Sequence, residues 1–326
     1  IPLGKPLIEA GRRSQPFWKT LGDHGIVSTI LRVPITFPAE KFNGTLLSAM
    51  SVPDLNGSQG TYYYFSSDTT ERLSMTSGVR VPVEWTNGVA RGVFTGPENS
   101  LRKGGGELTL PFEVRAGSNG DAELHLDGAV HPLKHRQYTP WVTLDFKPGL
   151  AMTVTGIVRF YLLETDPCLK LYMTPINIDP DTPALPISHP FTYAVYLSKT
   201  QGRYSTLGLC EDTSALNEEV IDEDAFLEQT YLIHEERERM YFDALDKTSR
   251  GAVVCVFDIT DRLQHMFFRH LDAKHPANRG RNGKHKDAIR KLYIEMDELV
   301  GRTMEATADD DTVLFVMSDH GFKPFR

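Results

Sequence analysis

The sequence predicts an α/β fold: an α/β/α sandwich with a mainly parallel central sheet, interrupted by a β-rich inserted module. Three observations lead there. Helical and strand patterns alternate at both ends of the chain, prolines crowd its middle, and the late apolar runs have strand length without alternation. Proline fixes φ and donates no hydrogen bond, so it is kept out of helix interiors. Six of the twenty prolines precede residue 66, twelve fall between 66 and 205, and two, Pro276 and Pro324, come later. The expected organisation is residues 1–65 as the first part of the core, 66–205 as the β-rich insertion, and 206–326 as the second part of the core.

Taken in order, Ser14 is placed to cap a short helix carrying Phe17, Trp18 and Leu21, which Gly22 and Gly25 end, and residues 26–33 follow as a strand. Within the insertion, residues 107–114, 122–126 and 142–146 alternate apolar with polar, and glycines at 104–106 and 117–120 separate them. Tyr62, Tyr63, Tyr64 and Phe65 read as strand core. After residue 205, a helix is expected over 222–246. Phe226, Thr230, Ile233, Arg237, Met240 and Ala244 form one stripe, and the charged run 235–239 lies mainly on the wet side. Residues 252–257 form a continuous apolar run, the pattern of a parallel strand covered on both faces. A second helix spans 287–307 with Ile289, Leu292, Met296, Leu299 and Thr303 on one stripe, and 312–317 closes the pattern as another buried strand. Strand, helix and strand make a βαβ unit.

Composition removes several classes of protein. Hydrophobic residues make up 40% and charged residues 24% of 326, as in ordinary globular chains, and no apolar run approaches the roughly 20 residues that span a bilayer. The 35 basic and 43 acidic residues leave a net charge of -8, the wrong sign for holding a nucleic-acid duplex by broad phosphate neutralisation. Cys168, Cys210 and Cys255 are scattered and odd in number, so neither a disulfide framework nor a metal knuckle is expected. The opening at Ile1 without a methionine, and the stop at Arg326 soon after an apolar run, read as a segment of a longer protein. The compartment and the oligomeric state stay open.

Each late strand ends in residues that can bind metals. Phe257-Asp258-Ile259-Thr260-Asp261-Arg262-Leu263-Gln264-His265 follows the first, and Ser318-Asp319-His320-Gly321 follows the second. Open α/β sheets carry their sites beyond the carboxyl ends of strands, so both clusters are expected to reach one crevice. If the chain turns helical at Asp261, its carboxylate and the His265 imidazole stand one turn apart. Asp319 and His320 can both point inward only in an irregular turn, for which Gly321 supplies the freedom. Oxygen and imidazole donors without thiolate suit zinc, and less well manganese or iron. Asp258 is either a partner of these donors or a strand-end residue.

Ser318-Asp319-His320-Gly321-Phe322, with Asp261 and His265 before it, resembles the alkaline phosphatase superfamily, and within it the type I phosphodiesterases and nucleotide pyrophosphatases. Pro16-Phe17-Trp18, Val33-Pro34-Ile35-Thr36-Phe37-Pro38, Val52-Pro53-Asp54-Leu55-Asn56-Gly57, Glu211-Asp212-Thr213-Ser214-Ala215-Leu216-Asn217 and Thr260-Asp261-Arg262-Leu263-Gln264-His265-Met266-Phe267 look like bacterial and archaeal members of that branch. The likeness covers both flanks and is weak across the middle. It implies two zinc ions and a threonine or serine nucleophile that displaces a leaving group from phosphorus. Asp261 and His265 match ligands of one ion, and Asp319 and His320 match ligands of the other. The nucleophile and an early aspartate are expected upstream of Ile1 and a last histidine beyond Arg326, so the site in this chain is incomplete. Thr20 and Ser14 are not substitutes, since both belong to a helix N-terminus.

The expected activity is metal-dependent hydrolysis of a small phosphate ester or nucleotide by the full-length parent, with this segment alone inactive. A phosphomonoesterase, a phosphoglycerate mutase or a non-catalytic binding fragment are the alternatives, and a sulfatase is disfavoured because no Cys-x-Pro-x-Arg sequence occurs. The basic stretch with His270, His275 and His285 among Arg269, Lys274, Arg279, Arg281, Lys284 and Lys286 is either a solvated loop or a rim that attracts anions. Gly104-Gly105-Gly106 lacks the Lys-Ser/Thr of a phosphate loop. His189 and Tyr193 are candidates for a specificity pocket, although their spacing does not demand it.

Overall fold

A computed structural model describes residues 11–99, 101, 105–149, 152–272, 274–278, 283–309 and 311–323. Helix α1 (Phe17–Asp23) starts two residues later than a Ser14 cap would place it. Extended Pro16 is its N-cap, and the Pro16 carbonyl accepts from the amides of Lys19 and Thr20. Ser14 does not cap it; its carbonyl accepts from Arg12 Nε. Strands β1 (Ser28–Leu31) and β2 (Gly44–Leu47) then pair in parallel.

The proline-rich middle is strands and loops as far as residue 190, as its alternation requires, and turns helical only over Phe191–Gln201. It contributes β3 (Tyr63–Ser66), β4 (Val79–Pro82), β5 (Val89–Glu98), β6 (Glu107–Ala116), β7 (Ala122–Leu126), β8 (Ala129–Leu133), β9 (Val142–Gly149), β10 (Met152–Val158), β11 (Phe160–Glu164), β12 (Lys170–Met173) and β13 (Asn177–Ile178). These form an antiparallel sheet β5-β6-β7-β8, a mixed sheet β11-β12-β3-β4 and a three-stranded sheet β13-β10-β9. Along β6, Leu108, Leu110, Phe112 and Val114 point inward in strict alternation. Phe112 stacks on Phe94 at 4.2 Å between ring centroids, and Phe65 meets both edge-on. The β7–β8 hairpin turns on Asp127 (φ 48°) and Gly128 (φ 79°), the positive-φ pair that matches strand twist in a two-residue loop. Gly104, one of the expected breaks, lies outside the described residues.

The remaining elements are β14 (Ser188–His189), α2 (Phe191–Gln201), α3 (Thr213–Asn217), α4 (Glu223–Lys247), β15 (Ala252–Cys255), α5 (Ile259–Phe267) and α6 (Ala288–Ala306). One sheet orders as β14-β2-β1-β15, parallel across its last three strands and antiparallel at β14. Successive residues of β1 face opposite sides. Ile30 packs with Trp18 and Leu46, while Leu31 packs with Leu47, Leu197 of α2, and Met240 and Ala244 of α4. The chain is thus mixed α/β, with helices on both faces of a small parallel set, and the other sheets are antiparallel or mixed.

Helix α4 begins where Asp222 predicts, because the Asp222 carboxylate accepts from the Ala225 amide at 3.0 Å. Asp222→Ala is expected to cost about 1 kcal/mol of stability, read as a lowered urea midpoint with an unchanged slope. The predicted stripe on α4 is buried along its whole length. The charged run is not all solvated: Glu235 and Arg239 are exposed, but Glu236 and Arg237 are each only 4% exposed. Glu236 accepts from Trp141 Nε1, Arg159 Nη2 and the Ser205 amide at 2.8–2.9 Å, and these bonds offset the loss of water. On α6, Ile289, Leu292, Leu299 and Thr303 are buried as the stripe requires.

Two strand expectations need correction. Strand β15 is parallel to β1 but ends the sheet, and its four residues are only half-buried rather than covered on both faces. Residues 312–317 form no strand: Val313, Phe315, Val316 and Met317 are 69–83% exposed. Strand length and apolarity are necessary but not sufficient. Among the described residues no ladder partner lies beside this run and no layer covers it, so the backbone lacks the bonds that would hold it in a sheet.

Candidate metal centre at the end of β15

Helix α5 starts immediately after β15, with Asp258 as its N-cap residue. Ile259, Leu263 and Phe267 bury one face, which turns Asp261 and His265 outward on the other. One helical turn separates them, and Asp261 Oδ1 stands 3.3 Å from His265 Nε2. His320 Nε2 approaches the same oxygen at 3.7 Å. Residues 50 to 60 positions apart therefore meet at one carboxylate. Phe322 supports the approach, since its ring lies 4.9 Å from that of His265 and 5.1 Å from that of Phe268. Asp319 is not gathered in: its carboxylate is 3.8 Å from His320 but 89% exposed.

His320 Nδ1 lies 3.0 Å from the Gly321 carbonyl. In the neutral ring, a proton on Nδ1 donates there and leaves Nε2 a free lone pair on the side of Asp261. The Gly321 carbonyl, then the Asp319 and Asp261 charges, raise the His320 pKa above the ordinary imidazole value.

Beneath α5 lies a buried charge cluster. The Arg237 guanidinium, on α4, pairs with the Asp258 carboxylate. Burial works against the Asp258 charge, but Arg237 outweighs it and holds this carboxyl below its usual range. Burial also pushes Glu211 up to about 7, reinforced by the Asp258 charge, although Arg237 and Arg262 oppose the shift. Arg262 Nε is 3.7 Å from Glu211 Oε2, and Arg262 Nη1 is 3.4 Å from Asp261 Oδ2. At the end of β1, Arg32 donates to the carbonyls of Ser48 and Leu207 and to Cys210 Sγ at 2.7–3.0 Å, joining the segments that enclose the cluster.

Glu211 and the neighbouring Asp212, which burial raises to about 6, make stability depend on pH. Both folded pKa values exceed the unfolded ones, so their contribution is complete below about pH 4 and is lost as pH rises through 6 to 7. At about 1.4 kcal/mol per pKa unit, the Glu211 share is about 3 kcal/mol. Glu211→Gln is expected to flatten the urea midpoint between pH 5 and 8, and an unchanged slope of midpoint against pH counts against this.

The motifs pointed to Asp261, His265 and His320, which do lie together, and gave no role to Glu211, Arg237 or Arg262. Arg237 carried a signal, because its place on the apolar stripe of α4 already required burial and hence a partner. Asp258, left open between two roles, is that partner. The basic stretch folds onto the acidic start of α4: His270 Nε2 is 3.0 Å from Glu223, His285 Nε2 is 3.0 Å from Asp224, and Arg269 and Lys284 pair with the same two carboxylates. Arg279 and Arg281 lie outside the described residues. His189 bonds the Phe42 carbonyl and Tyr193 stacks on Tyr196. A cleft of about 520 Å³ lined by Tyr138, Trp141, Arg159 and Arg203, and one of about 350 Å³ beside Asn56 and Leu101, include none of the Asp261 cluster.

One carboxylate flanked by two imidazoles fits a zinc-type ion by donor chemistry. Among the described residues, no group of three or more His, Cys, Asp or Glu side chains is already spaced to hold a metal ion. The donors fit in kind and converge, short of a closed cage.

Over residues 188–326 the chain matches the model of the type I phosphodiesterase / nucleotide pyrophosphatase family. That stretch holds α2, α4, β15, α5, α6 and every candidate ligand, and it bears out the resemblance drawn from the Asp261 and His320 motifs. This part of the chain is therefore similar to hydrolases of phosphoric esters. Comparisons with curated proteins and with solved structures give no match. No helix among the described residues is long and apolar enough to cross a membrane.

Proposed function

We propose that this chain carries part of the active site of a metal-dependent phosphoric ester hydrolase of the phosphodiesterase and nucleotide pyrophosphatase type. The observation that supports it is the meeting of His265 and His320 at Asp261, inside the stretch that matches the family. In this reading Asp261 and His265 serve one divalent ion, their oxygen and nitrogen donors suiting zinc, and Asp319 and His320 serve a second. Bound there, two such ions supply polarisation of the phosphoryl oxygens and a lowered pKa for an attacking hydroxyl. The chain's own part is positional. Helix α5 presents Asp261 and His265 one turn apart, and the Gly321 carbonyl selects the tautomer of His320.

In this reading the nucleophile and the remaining ligands lie in flanking polypeptide, as the family pattern implies, and the 326 residues alone are inactive. The core is divided between residues 1–65 and 206–326, and the β-rich residues 66–205 help to select a small phosphate ester or nucleotide. A second reading, a chain that binds without turnover, is favoured by the solvent exposure of Asp319. The deciding experiment is zinc analysis joined to turnover of an aryl phosphodiester, by the chain and by a longer form that includes the flanking sequence. Two zinc ions and activity in the longer form support the hydrolase. Zinc-independent turnover, or none with zinc bound, supports the alternatives.

A further inference from the structure

Arg262 occupies an unusual place beside the candidate ligands. Adjacent residues on a helix do not face each other, yet Arg262 reaches back along the first turn of α5 to its neighbour Asp261, Nη1 to Oδ2 at 3.4 Å. Its other end points the opposite way, with Nε 3.7 Å from Glu211 Oε2. Glu211 is 1% exposed at its side chain and Arg262 15%. Neither Glu211 Oε2 nor Arg262 Nε has a hydrogen-bond partner. Two buried polar atoms of opposite charge, left without bonds yet facing each other, mark a strut that is held by charge rather than by a closed hydrogen bond.

The consequence falls on Asp261. Its two oxygens are divided, Oδ2 toward Arg262 and Oδ1 toward His265 and His320. We infer that Arg262, braced by buried Glu211, is a positioning residue that holds Asp261 by one oxygen and so presents the other to the metal ion that it would share with His265. This rests on the hydrolase reading above. Groups that orient a metal-binding carboxylate commonly set metal affinity by 10- to 100-fold. Lysine is the informative replacement: it keeps the positive charge near Glu211 but lacks the planar fork that spans two carboxylates.

The test is zinc affinity of the whole chain, measured by competition with a chromophoric chelator at pH 8, where the Glu211 carboxyl is mainly ionised, alongside the urea midpoint of the metal-free protein. Arg262→Lys is expected to weaken zinc binding about tenfold with little change in midpoint. Glu211→Gln, which leaves every candidate ligand and Arg262 in place, is expected to weaken it severalfold, and the double variant no more than Arg262→Lys. A merely structural pair would move the midpoint and not the affinity. If His265→Ala abolishes zinc binding while both Arg262→Lys and Glu211→Gln bind as the parent does, the positioning role is overturned and the site reading stands. If the parent chain binds no zinc, the positioning role is overturned; if the longer form with the flanking sequence also binds none, or His265→Ala binds as the parent does, both are overturned.

Discussion

Turnover of an aryl phosphodiester by a chain that carries the complete site is expected to fall at least about a thousandfold when His265 is replaced by alanine, roughly 4 kcal/mol of transition-state stabilisation. The magnitude follows from removing one donor of an ion, which releases the ion rather than merely shifting it. His265 suits the experiment because its side chain is 57% exposed and packs edge-on to Phe322, outside the buried face of α5. Its loss should leave the urea midpoint unchanged, so a drop in rate cannot be assigned to unfolding. Asp261→Asn provides the companion measurement. It keeps the size of the side chain and removes the charge on which both imidazoles converge, and a comparable loss is expected together with loss of zinc. Undiminished turnover in both variants would sink the proposed chemistry.

The largest expected effect on stability belongs to Arg237. Arg237→Met should destabilise the chain by about 3–5 kcal/mol, because it strands the Asp258 carboxylate, whose side chain is 22% exposed, without its partner. Taking both charges away should cost far less, so Arg237→Met combined with Asp258→Asn is expected to recover most of the loss. A pH series distinguishes a stranded charge from a packing defect. Without Arg237, burial is opposed only by the more weakly acting Arg32 and Arg262 and raises the Asp258 pKa, so the single variant should be least destabilised at acid pH and lose ground as pH rises through the new folded value. A penalty that is constant with pH would mean that the methionine packs badly and the charge pair matters little.

The cluster also shows where sequence reading stops. The α4 stripe, the α6 stripe, the alternation of β6 and β7 and the one-turn spacing of Asp261 and His265 are all periodic, and period is a property of neighbouring residues alone. Those elements appear where the pattern puts them. The fate of 312–317 could not be read the same way. Its composition is that of a buried strand, but a strand exists only when another backbone supplies its ladder, and the composition of a segment does not reveal its partner. The same limit explains Glu236 and Arg237, charged residues inside a charged run, whose burial depends on Trp141, Arg159 and Asp258 far away in the chain.

The candidate site divides along that line. Residue chemistry, spacing and the family resemblance marked Asp261, His265, Asp319 and His320 in advance, since oxygen and imidazole donors grouped in short motifs are legible without coordinates. Tertiary structure brought only three of them together, left Asp319 in solvent, and placed Arg262 and Glu211 behind Asp261. The physical reason is range. Helix and strand patterns arise from contacts a few residues apart, whereas the direction of a carboxylate is set by charges that become neighbours only when β15, α4 and the segment around Glu211 have packed against one another.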